Sequence, residues 1–449
     1  MAGYEKRTPT AGIVRPDAEV TDVTVEHLQL ELLAILGADN LLPSDDAATR
    51  KMTPSGWEHR PIAMAIPGSE DDVEKVVQAA ESAGVALVPC GGGTRLQTGY
   101  PPTESKPWVL LSSARLIRLL DHQPDDLTVT CQPGMTLGAL QKILATHHQF
   151  LALDTALPDQ ASLGGIVSSN MTGFRRLAYG APRDLLIGLR AVMTDGVTVK
   201  GGGKVVKNVA GYDVCKLFSG AWGTLGFLTE LTFKVRPSPE TECALAWRAP
   251  DLCAAANLGL RLHHDQIAPT FILATNEPEG ETRLVVGLHG TQRRVEWQTL
   301  AIQKAVESAG WADPRCTLGD DDVSALRDVQ ARLSPEIGSA ARLSCLPTEM
   351  PRIIEQLDAI PNVRLTADIG TGTVNFAVIN VEPSHIAAIK ALTPRDSNLL
   401  WMKLDSSTAE REKIEVWGEK RDHHYLHRAI KQSLDPKNTF SPGRFFDKL

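Results

Sequence analysis

The stretch Val85-Ala-Leu-Val-Pro-Cys-Gly-Gly-Gly-Thr94 holds the residues best suited to bind a ligand. Its apolar run ends at Pro89 and reads as a buried strand. Gly91, Gly92 and Gly93 have no Cβ, so the backbone there can take positive φ and approach a ligand closely. Successive N–H groups in such a turn form a concavity suited to phosphate. A tight turn without a ligand fits the same residues. Two other phosphate loops fail on spacing. Lys204 follows Gly201-Gly202-Gly203, but Val205 stands where a P-loop needs Ser or Thr. No Gly-x-Gly-x-x-Gly opens a helix, and Arg95 to Pro102 is turn-rich, so a phosphate site here is built from loops.

A second cluster of small residues runs from Ala156 to Gly173 and includes Leu163-Gly-Gly165. Backbone and hydroxyl groups of such a segment suit a flat or anionic ligand. Close helix packing calls for glycine as well. A third cluster is Gly220-Ala-Trp-Gly-Thr-Leu-Gly226. His423 and His427 are spaced as a metal pair on a helix, but no His-Glu-x-x-His order occurs, and a solvated helix face is the better reading. There is no nucleophile elbow.

The elements around these clusters follow from pattern. Thr24 to Leu36 reads as an amphipathic helix, and the compact part is expected to begin near Arg60. Ile62–Ile66 and Val85–Pro89 read as strands around a helix that Ser69 and Asp72 cap in a capping box. Strands are expected at 108–112, 127–131, 185–193 and 227–235, with a helix at 137–144. From about Cys243, strand-like and helical runs alternate as in an α+β domain. The last stretch, from about Asp422, reads as a basic amphipathic helix followed by Asp435-Pro-Lys-Asn-Thr-Phe-Ser-Pro-Gly-Arg444.

Composition narrows the function. The chain has 449 residues, a net charge of −8 and a pI near 5.9, which argues against a nucleic-acid binder. Its 7 cysteines are scattered without a Cys-x-x-Cys, so neither a zinc ribbon nor a Cys-ligated iron–sulfur cluster is indicated, and a reducing cytoplasm is expected. No apolar run reaches the roughly 18 residues of a membrane span, so any membrane association is expected to go through partners.

Pro89-Cys-Gly-Gly-Gly-Thr94, Leu163-Gly-Gly165 and Gly223-Thr-Leu-Gly226, in this order, resemble the FAD-binding domain of the vanillyl-alcohol oxidase and p-cresol methylhydroxylase (PCMH) type. The ending Asp435-Pro…Phe440-Ser-Pro-Gly-Arg444 resembles the C-terminal signature of flavin-linked 2-hydroxy-acid dehydrogenases, with Ser441 where asparagine is usual. Lys204-Val-Val-Lys-Asn-Val-Ala-Gly-Tyr-Asp-Val214 resembles the FAD-binding E subunits of glycolate oxidase. The resemblance implies an α+β chain with a PCMH-type FAD domain over 60–240, its subdomains dividing near 120. An N-terminal tail and helix over 1–59 would precede it, an α+β cap over 241–421 would follow, and residues 422–449 would return to the FAD domain.

The resemblance also implies the site. FAD would lie against Gly91, Gly92, Gly93, Thr94, Arg95 and Leu96; against Pro158, Leu163, Gly164, Gly165, Ser168, Ser169 and Gly173; and against Gly223, Gly226, Phe227 and Leu228. With no histidine among residues 89–99, non-covalent FAD is expected. Lys207, Tyr212 and Arg444 are the polar candidates beside the isoalloxazine. No metal is expected, because the His-x-x-x-Gly-Asp-Gly-Asn-type element of the catalytic large subunits is missing. The implied function is glycolate oxidation to glyoxylate beside a larger flavin subunit and an iron–sulfur subunit. The alternatives are a stand-alone FAD-linked hydroxy-acid oxidoreductase and a non-catalytic assembly subunit.

Overall fold

The computed structural model describes residues 22–204, 212–265, 267–276, 281–311, 316–318, 339–394, 396–404 and 414–449. Helix α1 (Asp22–Leu36) leads into strand β1 (Leu41–Pro43), α2 (Ala47–Met52) and β2 (Ala63–Ala65). Helix α3 (Glu70–Ser82), β3 (Ala86–Cys90) and β4 (Trp108–Ser112) complete a sheet of order β1-β2-β4-β3. Ser69 Oγ accepts from Asp72 N, and the Asp72 carboxylate accepts from the Gly68 and Ser69 N–H groups, which fixes the start of α3.

The compact part begins earlier than the sequence suggests. Leu28, Leu32 and Leu36 of α1 are buried against Val73, Val76 and Val77 of α3. Strand β1 pairs antiparallel with β2. The leucine spacing of α1 carried that signal, but the polar, proline-bearing stretch after it hid the short strand.

A second sheet combines β5 (Leu119–Gln123) and β6 (Thr128–Cys131) with β8 (Leu186–Val192), β9 (Thr198–Gly202) and β10 (Phe227–Lys234), in the order β5-β6-β10-β8-β9. Between β6 and β8 lie α4 (Leu137–Ala145), β7 (Gln149–Phe150), α5 (Leu163–Ser169), α6 (Arg176–Tyr179) and α7 (Pro182–Leu185). Helix α8 (Val214–Phe218) precedes β10, and β11 (Arg236–Pro237) pairs with β7.

The third sheet is antiparallel, of order β15-β12-β14-β13-β17-β18-β16-β19. Its strands are β12 (Thr241–Arg248), β13 (Phe271–Asn276), β14 (Thr282–Gly290), β15 (Cys316–Leu318), β16 (Ser339–Ser344), β17 (Val363–Asp368), β18 (Thr373–Val378) and β19 (Asn398–Lys403). Helices α9 (Leu252–His264), α10 (Gln292–Ser308), Met350–Asp358 and Pro383–Leu392 contribute to the core on one face, where Leu343, Leu365, Val374 and Phe376 point. Strand alternation puts Arg342, Thr366, Asp368, Thr373 and Asn375 on the other face, and all are buried. That face meets the second sheet's connections. Phe271 packs on Phe174, and Arg342 donates to Thr172 Oγ1 at 3.0 Å.

The C-terminal helix, His424–Leu434, brings the chain back to the first two sheets. Leu87 N donates to Thr439 O and Ser441 N donates to Leu87 O, so residues 439–441 run beside β3. Lys431 and Asp435 form a buried ion pair there. Lys431 also donates to Thr224 O and Phe440 O, while Asp435 accepts from Thr439 N, Phe440 N and Thr194 Oγ1.

Candidate active site

Gly91 to Leu96, leaving the C-terminal end of β3, form one wall of a cleft of about 740 Å³ that is partly open to solvent. Helix α5 supplies Gly164, Gly165, Ser168 and Ser169, the turn before β10 supplies Gly223 and Gly226, and β10 itself supplies Phe227 and Leu228. Arg444 closes it from the C-terminal segment. Thus three separated glycine clusters and the chain's ending meet at one cleft.

The loop's N–H groups decide what the cleft can hold. Those of Gly91, Gly92, Gly93, Thr94 and Arg95 donate to no group among the described residues. Opposite them, Ser162 Oγ caps α5 by accepting from Gly165 N at 3.2 Å. Unpaired N–H groups in succession, facing a short helix's first turn, suit an anion such as a pyrophosphate.

The reason for glycine differs from the sequence expectation. Of the three, Gly93 alone has positive φ, at +73°. A Cβ on Gly91 would stand 1.8 Å from Ser162 Oγ, and one on Gly92 would stand 1.7 Å from the carbonyl oxygen of Gln160. Glycine lets the two protein walls of the cleft touch.

Arg444 is buried and wedged into the first subdomain. Nη2 donates to Leu96 O at 2.7 Å and Thr98 O at 3.0 Å, Nε donates to Tyr100 O, and the guanidinium lies 4.8 Å from the Trp57 ring centroid. It has no carboxylate partner among the described residues. Burial pulls its pKa down to about 10, which leaves it charged at neutral pH. Beside it, burial pushes the Cys90 thiol up to about 12, so it is not a thiolate.

Some expected residues lie elsewhere. Pro158 is on the exposed side of its turn, Leu163 is in the core under α5, and Gly173 is packed against Asp154, where a Cβ would come within 2.3 Å. Tyr212 is 98% exposed and does not line the cleft. Lys207 lies outside the described residues. Small size in that segment therefore serves packing as well as the cleft. Among the described residues no group of three His, Cys, Asp or Glu could hold a metal. Of the spaced pair, His423 is exposed and His427 half-buried, while His424 between them is buried with its ring 4.5 Å from Phe446.

The polar face of the third sheet adds residues that the sequence reading did not single out. Arg342 is 8% exposed and donates only to Thr172 Oγ1 and Met171 Sδ among the described residues. Met171 and Thr172 line a smaller cavity that shares Thr94, Arg95, Gly165 and Ser169 with the cleft walls. Asp368, on the same face, has an unpartnered buried Oδ1. Burial pushes its carboxyl up to about 7, with Thr371, Arg342 and Arg176 offsetting part of the effect.

Raising a carboxyl pKa in the folded state favours its protonated form. The stability it contributes is full below pH about 4 and is lost as pH rises to about 7, a change of at most about 4 kcal/mol. Asp368→Asn should therefore flatten the decline in melting temperature between pH 5 and 8. Parallel profiles for the two proteins would contradict this.

Residues 61–202 match the family model for an FAD binding domain. Across 95% of the chain the fold is also that of p-cresol methylhydroxylase, with a TM-score of 0.75 over 97% of that structure at 14% identity. The architecture is thus the α+β, PCMH-type one expected from the sequence. Glycolate oxidase subunit GlcD of Bacillus subtilis is 26% identical over 93% of the chain and 96% of its own length. A D-2-hydroxyglutarate dehydrogenase of Xanthomonas citri is 28% identical over 87% of the chain and 90% of its own length. The matched residues supply two walls of the cleft, from Gly91–Leu96 and α5. The third sheet and the C-terminal segment lie outside the matched residues. No helix among the described residues is long and apolar enough to cross a membrane.

Proposed function

We propose that this chain is an FAD-linked oxidoreductase of small 2-hydroxy acids that holds FAD non-covalently and passes electrons to a partner protein. The observation that carries the reading is the row of unpaired N–H groups from Gly91 to Arg95 at a cleft closed by Arg444. Bound FAD supplies the acceptor for a hydride from the alcohol carbon. The loop and the first turn of α5 hold the pyrophosphate, and Arg444 places a fixed positive charge at the cleft. Arg342, held by Met171 and Thr172, adds a second buried positive charge behind the smaller cavity. The raised pKa of Cys90 supports a cofactor without a thioether link.

The relatives' names, a glycolate oxidase subunit and a D-2-hydroxyglutarate dehydrogenase, support the substrate class. The finer reading is that of a glycolate oxidase subunit beside a larger flavin subunit and an iron–sulfur subunit. It is a cytoplasmic protein that reaches a membrane only through them. The lack of any Cys-x-x-Cys supports a cluster carried by a partner rather than by this chain. A stand-alone oxidoreductase is the second reading, favoured by the buried polar face with Arg342 and Asp368.

Anaerobic mixing with glycolate or D-lactate separates the two. The FAD-loaded chain alone should bleach slowly, because missing general-base catalysis costs about 10²- to 10⁴-fold. Adding the partner subunits should restore the rate. Rapid bleaching by the lone chain would support the second reading.

A further inference from the structure

Beside the FAD cleft, and sharing Gly92 to Arg95 with it, lies a larger chamber of about 2110 Å³ including its open mouth. Its walls come from the N-terminal segment, the loop after β3 and strand β19. Leu42, Met52, Met64, Ile66, Leu157 and Met402 give it an apolar lining. Its charged lining residues among the described ones are Arg95, Lys51 and Lys403, with no carboxylate. Arg95 lines this chamber, the cleft and the smaller cavity near Arg342, so it stands where the three meet. Among the described residues its one side-chain contact of hydrogen-bond type is Met402 Sδ at 3.8 Å, and it forms no ion pair.

We propose that the chamber binds a 2-hydroxy acid with an apolar chain, its carboxylate on Arg95 and its chain between Met52, Met64 and Met402. This rests on the hydroxy-acid reading above and adds the kind of acid. Glycolate, the smallest member of the class, leaves such a chamber filled with water. An aliphatic chain displaces that water from apolar side chains, and unbranched methionines adapt to its shape. With three cationic side chains and no carboxylate among its described lining residues, the chamber favours an acid over a cation of equal size. The chamber is partly open, so the far end of a longer chain can reach solvent.

The test uses unreactive probes on the FAD-loaded protein. Straight-chain 2-oxo acids from glyoxylate to 2-oxooctanoate have no hydride to lose, and their binding is read from the flavin spectrum. Affinity should rise about fourfold per added methylene. Arg95→Met should weaken every acid by about tenfold or more. Met52→Trp, which puts a bulky ring against the proposed path of the chain, should flatten the chain-length slope. If glyoxylate binds as tightly as the longer acids, or Arg95→Met changes nothing, the chamber proposal falls while the hydroxy-acid function stands. If no 2-oxo acid perturbs the flavin and no 2-hydroxy acid reduces it even with partners present, both readings fall.

Discussion

Lys431→Met should cost about 3–5 kcal/mol of stability and loosen the hold on FAD. Lys431 is 5% exposed and Asp435 1%, and each is hydrogen-bonded beyond the pair itself. Removing the lysine leaves a buried carboxylate without its counter-charge, the case in which breaking an ion pair is most destabilising. It also frees Thr224 O, in the turn between Gly223 and Gly226, and Phe440 O, ahead of Arg444. Two walls of the cleft are therefore tied to one ammonium group. Denaturant titration of wild type and variant, with flavin release followed in parallel, checks this. A loss under 1 kcal/mol with unchanged flavin retention would contradict it. Lys431→Arg keeps the charge and should recover part of the loss.

Gly92→Val should give protein without flavin and with lowered stability. The reason is the 1.7 Å approach of a Cβ to Gln160 O, a backbone atom that cannot swing aside. Either the loop or residues 157–162 must move, and that shift displaces the N–H groups meant for the pyrophosphate. A phosphate-contact argument alone predicts flavin loss with an intact fold. The wall-to-wall contact adds a stability loss of about 1–3 kcal/mol, as expected for overpacking. Flavin content by absorbance and the unfolding midpoint test the two parts separately. Normal flavin content would remove the loop from the account.

What could be read in the sequence depended on how local the signal was. Ser69 and Asp72 announced their helix because both halves of the capping box lie within one turn. The glycine loops were legible because glycine is costly unless backbone must pass closely. Which backbone passed was not legible, since Gln160 stands far along the chain from Gly92. Arg342 sits in an ordinary strand run and matters only because β16 pairs with β18, placing it on the polar face with Asn375. Lys431 read as part of a basic surface helix. Its burial comes from Thr224 and Phe440, which no periodicity connects to it. Pro158, Leu163 and Gly173 were expected at the site from the family resemblance of a segment rich in small residues, and small residues mark tight packing as well as ligand approach.

The cleft bounded by Gly91–Leu96, α5, Gly223–Leu228 and Arg444 is expected to hold one non-covalent FAD. Its most direct test is the flavin content of the purified chain after acid precipitation, with apoprotein then titrated with FAD and followed by flavin fluorescence. The expected result is a yellow supernatant, a colourless pellet and uptake saturating at one FAD per chain. A chain that is colourless as purified and leaves added FAD free in solution would contradict it.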